Sequence, residues 1–172
     1  MATGITITKP AGNTGGVTPG GSVTGTTGNV AGPTVLIKAN TIDKDNKTST
    51  LEIRARMFKT GTAGNCTMRM YFNSTPDLTG TPVLLATHTS SAANIHAQFV
   101  RQVYIDKNLT IVLNATQNAN TDDTENAAGR TVITNASSID YTADLYLVLG
   151  IQNGNAADST LPTLWYTKTH GY

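Results

Sequence analysis

The sequence predicts an all-β protein: an antiparallel two-sheet sandwich of jelly-roll type behind an extended N-terminal arm. Three observations carry this reading. From Leu51 to the C-terminus, apolar and polar residues alternate at period two in run after run, and no stretch has a helical period. Nine of the sixteen glycines precede Pro33 and the first acidic residue is Asp43, so the composition changes character along the chain. Charged residues make up 13% of the 172, against about 25% in an average soluble protein, and 31 threonines and 15 asparagines take their place. Threonine is β-branched and suits strands, while asparagine tolerates left-handed backbone and suits turns.

Residues 1–33 form the predicted arm. Their glycines and the prolines at 10, 19 and 33 leave too little apolar surface to offset the entropy of ordering. Glycine does not recur every third residue and there are no heptads, which excludes collagen and a coiled-coil stalk. Two patches have strand character: residues 4–8, centred on Ile5 and Ile7, and Val17, Val23 and Val30 among Thr and Gly. Two readings stand for them, a disordered tail and an arm that orders by adding to the strand edge of a partner.

Residues 34–172 form the predicted head domain, about 140 residues, a common size for a single core. Leu51, Ile53, Ala55 and Met57 alternate with Glu52, Arg54, Arg56 and Phe58, giving a core face and a wetter face. Residues 66–73 repeat the pattern, and residues 74–80 read as a turn punctuated by Pro76 and Gly80. A short strand is expected over 82–87 and a longer one over 96–105, with Ala97, Phe99, Arg101, Val103 and Ile105 on one side. Leu109, Ile111 and Leu113 line the next, residues 114–130 read as a long polar loop, and residues 130–134 as a strand. The clearest run is Ile139, Tyr141, Ala143, Leu145, Leu147, Leu149 and Ile151. Residues 152–162 are expected to form a loop and 164–169 the last strand. That makes about eight strands, the number of a jelly roll.

Little of this sequence points to chemistry. A net charge of +1 offers no electrostatic footprint for nucleic acid or anionic lipid, and no apolar run is long enough to span a membrane. Residues 1–8 lack a basic start followed by an apolar stretch, so no signal peptide is expected. Cys66, the single cysteine, alternates with Met68, Met70 and Phe72 and reads as a core residue. His88, His96 and His170 lie far apart without paired ligand spacing, so no zinc site is expected. The acidic loop at 121–126 and Asp43-Lys-Asp-Asn have carboxylates for calcium but neither glycine nor spacing of an EF-hand, and read as solvated loops. No nucleophile elbow, phosphate loop or other cofactor motif occurs. Trp165-Tyr166 is the place to look for a sugar-stacking platform, against the plainer reading of packed aromatics.

The stretch Met68-Arg-Met-Tyr-Phe-Asn-Ser-Thr-Pro-Asp-Leu-Thr-Gly80, the strand at 95–105 and the segment 139–158 resemble small β-rich structural proteins of tailed bacteriophages. These are the trimeric jelly-roll, tumour-necrosis-factor-like (TNF-like) heads of tail fibres, head fibres and capsid decoration proteins. The resemblance covers residues 34–172 and is one of pattern, without an invariant motif, so no family site residue carries over. It implies a non-enzymatic virion protein, usually a homotrimer, joined to another virion protein through residues 1–33. The lack of a shaft departs from true tail fibres and points to a short head fibre, a decoration protein or an adaptor. Tyr146 and Val148 are expected to place apolar surface outward, as a subunit interface. Any contact with a host-surface glycan is expected in the loops 114–130 and 152–162, with Asp122, Asp123 and Asn155 as contact residues, against the plainer reading that these loops only solvate the outer end of the head. A carbohydrate-binding adhesin is the alternative, and a glycan hydrolase with a carboxylate pair the third.

Overall fold

The computed structural model describes residues 6–7, 23–24, 30–40, 42, 49–93, 95–106, 108–113, 130–134 and 139–171. Among them are eleven strands: β1 (Thr6–Ile7), β2 (Val23–Thr24), β3 (Val30–Ile37), β4 (Ser49–Thr60), β5 (Cys66–Asn73), β6 (Val83–Ser90), β7 (His96–Ile105), β8 (Leu109–Leu113), β9 (Arg130–Thr134), β10 (Leu145–Asn153) and β11 (Ser159–Gly171). Every pairing is antiparallel, and the strands form two sheets. The first sheet runs β1-β11-β4-β7-β8-β9, with β2 on β11 as well; the second runs β3-β10-β5-β6. Among the described residues no helix is long and apolar enough to cross a membrane.

The core lies between the sheets because one parity of each strand is apolar. Leu51, Ile53, Ala55 and Met57 of β4 are buried with Cys66, Met68, Met70 and Phe72 of β5 and Leu145, Leu147, Leu149 and Ile151 of β10. Burying each large aliphatic or aromatic side chain contributes about 1.5–3 kcal/mol. Three irregularities bend the strands. Met70 pairs with Ala86 and Tyr71 with Leu84, so Leu85 is an extra residue, and Leu85 and Ala86 are both buried. The register of β3 on β10 shifts between Ala31 and Thr34, where Pro33 has no amide hydrogen to donate. Leu164 pairs with Ala55 and Tyr166 with Arg54, leaving Trp165 at a bulge of β11.

Several boundaries differ from the sequence reading. β3 begins at Val30, and β1 and β2 pair with β11 of the same chain, so Thr6–Ile7 and Val23–Thr24 are engaged within the molecule. The run 139–151 is interrupted. Its strand starts at Leu145, because the Asp140 carboxylate accepts from the Thr142 amide (2.8 Å) and hydroxyl (2.6 Å), which makes a turn. Ile139 and Tyr141 are still buried, the Tyr141 hydroxyl lying 2.7 Å from that of Thr110, but Ala143 is exposed. The loop expected over 152–162 shrinks to residues 154–158, since Asn153 ends β10 and Ser159 opens β11.

Candidate functional site

At one end of the sandwich three connections pass between the sheets: residues 61–65 from β4 to β5, 91–95 from β6 to β7, and 154–158 from β10 to β11. Lys59 follows Met57 on the inward parity of β4, which carries its side chain under all three. Its ammonium donates to the carbonyls of Gly64 and Ala92 (2.8 Å for the latter) and lies 3.4 Å from Asp158 Oδ2, with both side chains wholly buried. Asp158 accepts from the amides of Ala63 (3.1 Å) and Gly64 (2.7 Å). Backbone bonds from Lys59 to Ile95 (2.7 Å) and from Gly154 to Asn65 (2.6 Å) complete the lock. Only glycine suits two positions here. Gly61 has φ +94°, and at Gly64 a Cβ would lie 2.6 Å from the Asn155 nitrogen.

Burial alone would push the Asp158 carboxyl up. The amides of Ala63 and Gly64, together with Lys59, outweigh it and hold the group below the usual carboxylate range. Behind it, Asn153 Nδ2 donates to the Asp158 carbonyl (3.2 Å), and the Thr160 hydroxyl sits between Asn153 Oδ1 (2.5 Å) and Cys66 Sγ (3.6 Å). Burial raises the Cys66 thiol above its ordinary value despite that hydroxyl, which makes it a poor nucleophile. The network holds loops and presents no reactive group.

The opposite end is more open. Asp144 accepts from the Ala39 amide (2.8 Å) and the Lys38 ammonium (2.9 Å), and these two bonds lower its carboxyl. Asn73, buried at the end of β5, donates to Thr75, to the Asp77 carbonyl and to the Thr79 carbonyl at 2.8–2.9 Å, fixing the turn into β6. Asp77 is held low by the Thr79 hydroxyl and amide and the Thr75 hydroxyl. Between this turn and the segment before β10 lies a cavity of about 270 Å³. Phe72, Val83 and Leu145 form its apolar part, and Asn73, Ser74, Thr81, Asp140 and Asp144 its polar wall, with Ala143 beside them.

The residues singled out from sequence are scattered. Asp122 and Asp123 lie outside the described residues. Asn155 sits in the locked end, half-buried, and its side-chain oxygen accepts from the Ala157 amide (2.9 Å), so it serves its own turn. Tyr146 is half-buried, but Val148 is 0% exposed, paired between Tyr71 of β5 and Thr34 of β3. Val148 therefore has no surface to offer a second subunit, and that expectation is corrected. The exposed large apolar side chains among the described residues are Phe58 (41%), Leu84 (45%) and Ile95 (42%). Phe58 packs on His96 with ring centroids 5.0 Å apart. His88 is buried on the inner parity of β6, and no group of three metal-ligating side chains occurs among the described residues. Sequence reasoning missed Lys59 and Asp158. The parity of β4 was the signal for Lys59, since 51, 53, 55 and 57 lead to 59; Asp158 had none, because its partners lie 94–99 residues away. Comparison with protein-family models, with curated proteins and with solved structures finds no match for the chain.

Proposed function

We propose that the chain is a non-enzymatic virion structural protein, a capsid decoration, head fibre or tail fibre component, whose β head is a TNF-like jelly roll. The observation that carries this reading is the order of strand pairing. From the ends inward, β1 pairs with β11, β3 with β10, β4 with β7 and β5 with β6, as in one antiparallel ribbon folded over on itself. The contacts β11–β4 and β10–β5 close the two sheets, while β8 and β9 extend the first sheet at its edge. In this reading residues 1–33 join the head to another virion protein, and the locked end gives the head a fixed shape. The proposed assembly is a homotrimer. Phe58 and Ile95, neighbours through the Phe58–His96 pair, supply the apolar contact that Val148 does not. Labelling particles with an antibody raised against residues 34–172, followed by electron microscopy, tests the virion assignment. Density at no virion site would sink it.

A carbohydrate-binding module is the second reading, favoured by a surface whose polar groups are mostly hydroxyls and amides and by the cavity at the open end. Glycan-array binding by the whole chain, with no particle incorporation, would put it first.

A further inference from the structure

We propose that the cavity between the β5–β6 turn and the segment preceding β10 binds a single neutral polyhydroxylated ring, a monosaccharide unit. The inference rests on the carbohydrate-binding reading and places that activity at the end opposite Asn155. Size bears on it first. At about 270 Å³ the cavity falls just below the range of pockets for drug-sized ligands, about 300–1,000 Å³, which suits one ring and not an oligomer.

The chemistry of the walls bears on it next. Phe72 and Leu145 are nearly wholly buried and close the floor of the cavity, while the half-buried Val83 offers apolar surface to the C–H face of a sugar ring. The rest of the lining includes Asp140, Asp144, Ser74 and Thr81, whose side chains are carboxylates and hydroxyls. That lining is rich in acceptors, so it matches a ligand rich in O–H donors. Two carboxylates disfavour an anion, and a bare metal ion would find no third acidic, histidine or cysteine ligand among the described residues. The acceptors are also held in place, which lowers the cost of binding. Asp144 is fixed by Ala39 and Lys38, and Asp140 by Thr142. A carboxylate has about four lone-pair sites, so these bonds leave Asp144 able to accept more.

Amide chemical shifts of the full chain, titrated separately with D-glucose, D-galactose, D-mannose, N-acetyl-D-glucosamine and L-rhamnose, test the proposal. N-acetylneuraminic acid serves as the anionic control. The expected result is saturable shifts at Ser74, Thr81 and Ala143 with at least one neutral sugar, and none with the anion. Thr81→Trp and Ala143→Trp, both at exposed positions, should fill the mouth and abolish saturation while leaving the rest of the spectrum in place. Asp144→Asn should weaken binding about tenfold or more, the usual worth of a hydrogen bond to a charged group. Saturable shifts that survive both tryptophan substitutions, or equal binding of the anion, overturn the cavity assignment. Saturable shifts confined to residues 61–65 and 154–158 overturn it too but leave the carbohydrate reading standing. No saturable shift with any sugar sinks both.

Discussion

Lys59 and Asp158 tie together the connections at one end of the sandwich. A buried pair gains little over well-packed apolar residues, yet losing one partner strands the other charge without water. Lys59→Met should therefore lower the urea midpoint sharply, and adding Asp158→Leu should recover part of the loss; a single variant as stable as the wild type would show that the pair does not lock the loops. Gly61→Ala forces a side chain into left-handed backbone against Asp158, where a Cβ would lie 2.3 Å from Oδ1, and should cost about 1–3 kcal/mol in the same measurement. Acid acts on the same residues. The folded-state carboxyls of Asp158, Asp144 and Asp77 all lie below their ordinary value. Each contribution is complete above the unfolded pKa of about 4 and is lost as pH falls through the folded one. The thermal midpoint should thus be flat near neutrality and drop below about pH 4, and Asp158→Asn should be less stable at pH 7 with a shallower drop.

At the scale of elements, β10 is one of the two interior strands of its sheet, paired with β3 on one side and β5 on the other. Leu147 is fully buried there, and Leu147→Ala should cost about 2–5 kcal/mol in denaturant unfolding. The edge strand β6 is managed differently. Arg101, buried on the inner parity of β7, donates to the Thr87 carbonyl of β6 (3.4 Å) and to the carbonyl of Val100 (2.9 Å). A cation thus bridges the two sheets where their strands do not pair, at an edge that would otherwise offer its backbone to another chain. The beginning of β3 makes a testable boundary. A chain starting at Val30 keeps the pairs Val30–Ile151 and Ala31–Gly150, whereas one starting at Thr34 loses them and should melt at a lower temperature. Equal melting of the two truncations would mean that the first four residues of β3 add nothing to the head.

For the whole molecule, the proposed assembly leaves the two ends with different tasks. One end is closed by buried polar bonds; the other keeps a cavity and exposed turns. Light scattering at micromolar concentration should give a trimeric mass, and Phe58→Asp, at a position already 41% exposed, should lower that mass without unfolding the chain. A monomeric mass for the wild type would remove the trimer from the proposal.

The sequence by itself determined that the protein is all-β, where most strands lie, and which parity of the clearest strands faces inward, including Cys66 in the core. These are local properties, because alternation at period two is imposed by the geometry of a single strand. Only the tertiary structure decided the rest. Val148 reads as outward by parity, yet it is wholly buried in the folded chain. Asp158 reads as a loop carboxylate, yet it closes on a lysine 99 residues away. The cavity is assembled from turns whose residues lie in two separate stretches, 72–83 and 140–145, and the order of strands in each sheet is likewise a matter of which distant edges meet. Such contacts depend on how the sheets stack and how the connections cross, which no local pattern encodes.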